Sequence, residues 1–308
     1  MIRVGIIGCG YSGGLHLKIF RKLDNVKIVG CYDINLSEAE TFSLKEGVEL
    51  YDSMDDLLDA IDVVDIASID KDYYPIAVTA LKKSKHLFIR AFISDNLFEA
   101  SELIKLTAEA RVIIQVGQTN LFGNALIKAK EFLNEPRLIN IYHYYGLNKQ
   151  KENSCCLENI IHDVDVIQNL VHSDVRSIHA TGIPVFEDTS EIMQIQLEFG
   201  NGCLVTLFMN LVSELHKFTI DCFQSEYLVF TDMLNSTICI TRYIKDKTSK
   251  KEIITLKKEN ELCRLKKELL LFLNAVNSNQ KSLKTIENAY SSLEIAQKII
   301  KKINLSYK

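Results

Sequence analysis

Near its N-terminus the chain reads Val4-Gly5-Ile6-Ile7-Gly8-Cys9-Gly10-Tyr11-Ser12-Gly13, and this segment indicates the architecture of the residues around it. An apolar run ends at Ile7, the three glycines of a G-x-G-x-x-G pattern follow at once, and a helical pattern begins after them. In such a loop the first glycine permits a tight turn, the second lets a ligand approach the backbone, and the third allows the helix to pack closely on the strand. The unpaired N–H groups at the start of the helix suit the phosphates of a dinucleotide. The stretch therefore predicts a Rossmann βαβ unit, with contacts to a dinucleotide expected from Gly8, Gly10, Tyr11, Ser12 and Gly13.

An acidic residue stands where the second predicted strand ends. Asp33 follows the loop by about twenty residues, the distance at which a carboxylate can accept hydrogen bonds from both hydroxyls of an adenosine ribose. The same negative charge repels a 2′-phosphate, so the sequence favours NAD over NADP. The alternative is a glycine turn kept only for packing, but loop, strand, helix and acid together agree with nucleotide binding.

The segment from residue 2 to about 115 alternates short apolar runs with amphipathic segments of helical length. The predicted strands are Val4–Ile7, Lys27–Cys31, Val63–Ile66, His86–Ile89 and Val112–Gln115. The predicted helices are Leu15–Leu23, Leu36–Glu46, Tyr74–Lys83 and Leu97–Ala110. Such alternation predicts an α/β domain with a doubly wound parallel sheet.

Beyond Pro136 the rhythm changes to long strand-like stretches, so we expect a domain boundary between about 118 and 137. Residues 1–118 form the predicted dinucleotide-binding domain, and residues 119–308 form a C-terminal substrate and oligomerisation domain. Seven strands are predicted between 138 and 243, with one helix at about 157–171 and two closing helices at about 262–276 and 285–303. This pattern predicts an α+β domain with a large, mainly antiparallel open sheet.

Composition excludes several classes of protein. The chain has 308 residues and a formal charge of -4, so it lacks the basic footprint of a nucleic-acid binder. No apolar run is long enough for a membrane span, and no basic leader precedes Ile2, so we expect a cytoplasmic protein without membrane contact. The eight cysteines are expected to be reduced thiols, and their spacing predicts no metal site.

Two further motifs carry a resemblance to a known family. His16 follows Gly13 by three residues, and the segment Leu157-Glu158-Asn159-Ile160-Ile161-His162-Asp163-Val164-Asp165 is similar to an L-x-D-x-x-x-H-D-x-D pattern. With the glycine loop, Asp33 and Val116-Gly117, these residues resemble the Gfo/Idh/MocA oxidoreductases over nearly the whole chain, and within them the nucleotide-sugar dehydrogenases.

The resemblance implies a Rossmann domain followed by an α/β domain whose open sheet forms a homodimer or homotetramer. It implies reversible oxidation of a secondary alcohol on a sugar, cyclitol or nucleotide-sugar, with hydride transfer to nicotinamide. It also places the active-site histidine at His162.

Several substrate-facing positions depart from the family pattern. The family's Glu-Lys-Pro motif, which carries a catalytic lysine, is Arg90-Ala91-Phe92 in this chain. Ala91 has no group that can exchange a proton. Ser68-Ile69 replaces a Thr-Pro turn, with Ser68 kept as a cofactor-binding candidate, and Tyr73 replaces a nearby histidine.

Two hypotheses explain this pattern. In the first, His162 is the acid/base, Glu158 supports it from one helical turn away, and Arg90 and Tyr73 are further polar groups of the site. In the second, the chain is a catalytically silent NAD-binding sensor or assembly subunit of the same fold. A pure oligomerisation protein is a third possibility, against which the intact loop argues. His162 could also be a satisfied polar group on a buried face, and Arg90 could pair with an acid such as Asp95.

Overall fold

The computed structural model describes residues 1–67, 73–90, 93–146, 155–186, 190–243, 249–280 and 285–305. The strands are β1 (Ile2–Ile7), β2 (Val26–Tyr32), β3 (Val63–Ile66), β4 (His86–Ile89), β5 (Ile114–Val116), β6 (Leu138–Tyr145), β7 (Val175–Ile183), β8 (Ile192–Phe199), β9 (Leu204–Asn210), β10 (His216–Phe223), β11 (Tyr227–Asp232), β12 (Thr237–Tyr243) and β13 (Ser249–Thr255). The helices are α1 (Tyr11–Phe20), α2 (Leu36–Glu46), α3 (Met54–Ala60), α4 (Tyr73–Lys82), α5 (Leu97–Ala110), α6 (Asn124–Lys130), α7 (Cys155–Leu170), α8 (Glu261–Ser278) and α9 (Ile286–Leu305), with a 3-10 turn at Thr119–Phe122.

Two compact units divide the chain. The first contains Met1–Thr119 and Glu261–Ser291, and the second contains Asn120–Asn260 and Ser292–Lys308. The change of unit after Thr119 lies next to the boundary at 118/119 expected from the sequence. The sequence-based boundary assigns residues 261–291 to the C-terminal domain. In the structure, the contacts of these residues group them with the first unit.

The sheet of the first unit is parallel, in the order β2-β1-β3-β4-β5. Leu50 adds a single-residue parallel bridge to Cys31 at the outer side of β2. If the bridge at Leu50 is counted as a short third strand, the strands numbered in chain order follow the order 3-2-1-4-5-6, which is typical of dinucleotide-binding sheets. The reversal of strand order falls beside β1, which places the glycine loop at the point where such sheets bind their ligands.

Helix α8 packs onto the core of the first unit. Leu269 and Phe272 are fully buried, and the Phe272 ring lies 5.6 Å from that of Phe88 on β4. The buried Glu268 carboxylate also accepts a hydrogen bond from the backbone N–H of Gln118, just after β5. These contacts are the physical reason why a C-terminal helix belongs to the N-terminal unit.

The second unit is built on one eight-stranded sheet, in the order β13-β12-β11-β10-β6-β9-β8-β7. Only the β6–β9 pair is parallel; the other neighbours are antiparallel. Burial alternates along most strands, so one face is packed and the other is half-buried. The predicted fold class, a doubly wound parallel sheet followed by an α+β domain with a large, mainly antiparallel sheet, is confirmed. None of the helices in the described ranges is long and apolar enough to cross a membrane.

Candidate functional site

The glycine loop between β1 and α1 has the backbone geometry that its sequence predicts. Gly8 has φ +107°, a left-handed conformation that other residues rarely adopt. A Cβ atom on Gly13 would lie 2.1 Å from the carbonyl oxygen of Gly8, so α1 approaches the loop more closely than any side chain would allow. The first and third glycines are therefore required by the backbone itself.

The first turn of α1 is open to a phosphate. Gly10 is the N-cap residue and provides no side-chain hydrogen bond, and the first turn carries no acidic residue. A Cβ on Gly10 would meet nothing within 4 Å, so the space over the helix N-terminus is clear. Tyr11 is 76% exposed beside it, whereas Ser12 is buried. The N–H groups of a helix N-terminus, open space beside Gly10 and a first turn without an acidic residue together fit the pyrophosphate of a dinucleotide.

Asp33 is tied to the same loop. Its Oδ2 accepts a hydrogen bond from the backbone N–H of Cys9 at 2.7 Å, and its Oδ1 accepts one from Asn35 at 2.9 Å. A carboxylate has about four acceptor positions, so two hydroxyl donors can still bind. The carboxylate is thus fixed beside the loop, where the sequence places an adenosine ribose.

A buried hydrogen bond between a histidine and an aspartate links α1 to β3. His16 on α1 and Asp65 on β3 are both fully buried, and His16 Nδ1 lies 2.9 Å from each Asp65 oxygen. The sequence singles out His16 but not Asp65, which stands inside an apolar strand. A carboxylate within a buried strand of four residues is the signal that could have revealed this partner.

The two acid/base candidates meet on α7. His162 Nε2 lies 3.5 Å from Glu158 Oε1, and the two side chains are 25% and 31% exposed. The spacing of four predicts this shared helix face. A carboxylate next to an imidazole at a partly exposed position can orient it and stabilise its protonated form.

The neighbouring aspartates of α7 have a different role. Asp163 is fully buried and lies 2.8 Å from His143 Nδ1, and Asp165 is 4% exposed and accepts a hydrogen bond from Ser292. The sequence alone is compatible with helix capping, solvation or substrate contact for both residues. Their burial and their protein partners show instead that they attach α7 to β6 and α9.

The remaining candidates are distributed over the first unit. Arg90 has a side chain 28% exposed, and its guanidinium lies 3.9 Å from the carboxylate of Glu261. Tyr73, at the start of α4, is 2% exposed. Ser68, Ala91 and Phe92 lie outside the described residues. Arg90 and Tyr73 belong to one unit and Glu158 and His162 to the other.

A family model matches the nucleotide-binding segment. Residues 2–118 match the model described as an oxidoreductase family with an NAD-binding Rossmann fold. The match contains the glycine loop and Asp33, and it ends next to the sequence-based domain boundary.

Named relatives match over most of the chain. UDP-N-acetylglucosamine 3-dehydrogenase of Acidithiobacillus ferrooxidans is 20% identical over 241 residues, 78% of this chain and 76% of that protein. Glucose-6-phosphate 3-dehydrogenase of Bacillus subtilis is 26% identical over 246 residues, 72% of this chain and 70% of that protein.

Solved structures show the same architecture. The structure of the Acidithiobacillus ferrooxidans enzyme matches with a TM-score of 0.91 at 19% identity, covering 100% of this chain and 99% of that one. A crystal structure of an oxidoreductase from Agrobacterium radiobacter in complex with NAD+, L-tartaric acid and magnesium matches with a TM-score of 0.88 at 12% identity, covering 99% of this chain and 97% of that one. At these identities the matches establish the fold.

Proposed function

Residues 2–118 of this chain belong to the Gfo/Idh/MocA oxidoreductase family, and on that premise we propose that the protein is an NAD-dependent dehydrogenase acting on a secondary alcohol of a sugar. The observation that carries the proposal is the glycine loop, with its open helix N-terminus and the Asp33 carboxylate fixed by the Cys9 N–H. We propose a sugar that bears a phosphate or a nucleotide, because the relatives just named act on glucose 6-phosphate and UDP-N-acetylglucosamine.

The loop residues would hold the cofactor. Backbone groups of Gly8, Gly10 and Gly13 would surround the pyrophosphate, with Tyr11 and Ser12 in the first turn beside it and Ser68 on the cofactor side of the site. Asp33 would accept hydrogen bonds from the ribose and repel a 2′-phosphate, which favours NAD over NADP. When bound, the nicotinamide ring accepts or returns the hydride at its C4 atom.

The proton of the substrate hydroxyl would pass to His162. The hydroxyl oxygen loses this proton, and the carbon that bears the hydroxyl loses a hydride, so the alcohol becomes a ketone. The reverse steps reduce the ketone to the alcohol. Glu158, at 3.5 Å, would stabilise the imidazolium formed in the oxidation direction. This assignment supplies the proton acceptor that Ala91, in place of the family lysine, does not.

Arg90 is the proposed contact for a substrate phosphate or a developing alkoxide. Its guanidinium is charged at any working pH and is partly exposed beside Glu261. For the buried Tyr73 we propose a supporting role at the start of α4. A catalytically silent NAD-binding subunit is the alternative function, which the replacement of the lysine by Ala91 favours.

The half-buried face of the large sheet is the proposed contact with a second copy of the chain. Tyr142, Tyr144, Phe208 and Phe230 lie on this face together with the charged Lys217 and Asp221, and burial of the aromatic rings would favour a homodimer or homotetramer. None of the cysteines whose side chains the structure describes forms a disulfide with another of them, which supports our proposal of a reducing, cytoplasmic location.

The test is NADH binding combined with turnover. We expect NADH to bind more tightly than NADPH by about tenfold or more, with the preference reduced in Asp33→Ala, measured by isothermal titration. We also expect NAD+ reduction with glucose 6-phosphate, UDP-N-acetylglucosamine or inositol. Tight NADH binding without turnover on any of them would favour the silent subunit, and absence of NADH binding would reject both functions.

A further inference from the structure

Asp163 and His143 form a buried pair directly behind the acid/base residues. Asp163 is fully buried and His143 is 6% exposed, and Asp163 Oδ1 lies 2.8 Å from His143 Nδ1. The 2.8 Å separation fits an Nδ1–H of His143 that donates to an ionised Asp163 carboxylate. The pair is a strong charge-assisted hydrogen bond between α7 and the central strand β6.

Aromatic rings hold His143 in place. Its imidazole is stacked between the ring of Tyr145, with centroids 3.8 Å apart, and the ring of Phe218, with centroids 3.9 Å apart. The two stacked neighbours come from β6 and β10, which are paired in the sheet. His143 therefore has little freedom to move, and it presents Nδ1 to α7 in one orientation.

Tyr145 adds a second contact with the helix. Its hydroxyl lies 3.3 Å from Asp163 Oδ2 and 3.4 Å from the carbonyl oxygen of Asn159. Burial, followed by the charge of the nearby Asp163, raises the pKa of Tyr145 well above its ordinary value. The hydroxyl thus remains a donor throughout the physiological pH range.

The spacing along α7 relates this network to the candidate site. Asn159 and Asp163 are the next residues after Glu158 and His162, and each step along a helix turns it by about 100°. Attachment at 159 and 163 to the sheet therefore fixes the direction in which 158 and 162 face. A rotation of α7 that moved His162 would have to break the Asp163–His143 hydrogen bond and expose a buried carboxylate.

We propose that His143 and Asp163, supported by Tyr145, are positioning residues that set the rotation of α7 and so hold His162 and Glu158 in their working orientation. The catalytic consequence rests on the proposed dehydrogenase function, whereas the structural consequence does not. Misplacement of an acid/base group by about 1 Å can cost about 100-fold in rate.

The experiment compares three variants of the full chain. His143→Leu removes the donor, His143→Asn keeps an N–H donor near the position of Nδ1, and Ser292→Ala is the matched control. The Ser292 hydroxyl lies within hydrogen-bond distance of Asp165 and Gln168, so its loss removes a buried attachment of the same helix further from His162. The imidazole carbon–proton NMR signal of His162, assigned by its loss in His162→Gln, reports the orientation without any turnover.

We expect His143→Leu to move the His162 signal and to lower kcat by about 100-fold, with KM and the Kd for NADH changed by less than about twofold. We expect His143→Asn to restore most of both properties, and Ser292→Ala to lower Tm while leaving the His162 signal and kcat unchanged. If His143→Leu does not fold, Tyr145→Phe takes its place, because it removes one hydroxyl and keeps the stacked ring. For Tyr145→Phe we expect a smaller shift of the His162 signal and a smaller loss of kcat, both in the same direction.

An unmoved His162 signal in His143→Leu, or an equal change in Ser292→Ala, would overturn the proposal. If wild-type protein oxidises neither glucose 6-phosphate nor UDP-N-acetylglucosamine, the proposed function fails on its own, and the NMR comparison still decides the positioning role.

Discussion

Individual glycines in the loop carry different physical requirements. The space around Gly13 is closed by the Gly8 carbonyl, that around Gly10 is open, and Gly14 meets only the Phe42 ring at an ordinary 3.8 Å. Alanine substitutions at these three glycines can therefore distinguish an effect on stability from an effect on NADH binding.

We expect Gly13→Ala to lower the free energy of unfolding by about 1–3 kcal/mol, because the new Cβ must displace backbone. Gly10→Ala should cost about 1 kcal/mol or less but should weaken NADH binding by about tenfold or more, because the methyl group occupies the space over the helix N-terminus. Gly14→Ala is the matched control, expected to be neutral or to stabilise by up to about 1 kcal/mol within α1. Urea unfolding and NADH titration measure both properties, and equal binding losses in Gly10→Ala and Gly14→Ala would contradict the account.

At the scale of helices and strands, segments with a clear apolar pattern between turn residues could be predicted, and a short helix without such a pattern could not. The predicted bounds of α2, α5, β3 and β4 are those of the structure, because each segment shows its full periodicity and is bounded by turn residues. Helix α3 was missed because Met54–Ala60 has only two turns. Its one clear signal is Ser53 followed three residues later by Asp56, a capping pattern in which Ser53 Oγ accepts from the Asp56 N–H at 3.1 Å.

Helix α3 provides an element-scale prediction. We expect Ser53→Ala to lower the free energy of unfolding by about 1 kcal/mol, because both hydrogen bonds between Ser53 and Asp56 are lost. Ser37→Ala, an exposed serine in the first turn of α2, is the control and should change stability by less than about 0.5 kcal/mol. Equal effects of the two variants in urea unfolding would show that the cap contributes nothing.

Asp221 lies on the half-buried face of the large sheet, and its carboxyl group is expected to make the stability of the protein depend on pH. Burial raises the pKa of Asp221 above its ordinary 3.8, an effect that Lys217 opposes. The folded chain therefore keeps this proton at a pH where the unfolded chain has lost it. Stability contributed by Asp221 is present below 3.8 and is lost as pH rises through the folded pKa.

Asp221→Asn cannot ionise and should not lose stability as the pH rises. We therefore expect the variant to unfold at a higher urea concentration than wild type at neutral pH, and we expect this difference to be smaller in acid. Asp24→Asn, at an exposed position on the first unit, is the control. A neutral-pH midpoint for Asp221→Asn at or below that of wild type would contradict the assigned cause of the shift.

Long-range contacts set the limit of prediction for the whole molecule. The glycine loop, Asp33 and the alternation of predicted strands and helices identify the Rossmann domain from sequence, because each of these signals is local. The position of α8 on the first unit depends on Phe272 meeting Phe88, and the attachment of α7 depends on Asp163 meeting His143. An amphipathic helix can pack on either core, so no local pattern specifies such partners.

Transfer of deuterium from a labelled sugar to NAD+ reports hydride transfer by this protein itself. Wild-type protein is incubated with NAD+ and with glucose 6-phosphate or UDP-N-acetylglucosamine deuterated at the ring carbons, and the NADH is analysed by mass spectrometry. Direct hydride transfer predicts NADH that carries one deuterium, formed by wild type and lost in His162→Gln, while both proteins bind NADH equally well. Unlabelled NADH, or label formed equally by His162→Gln, would contradict the account of a sugar dehydrogenase that uses His162 as its acid/base.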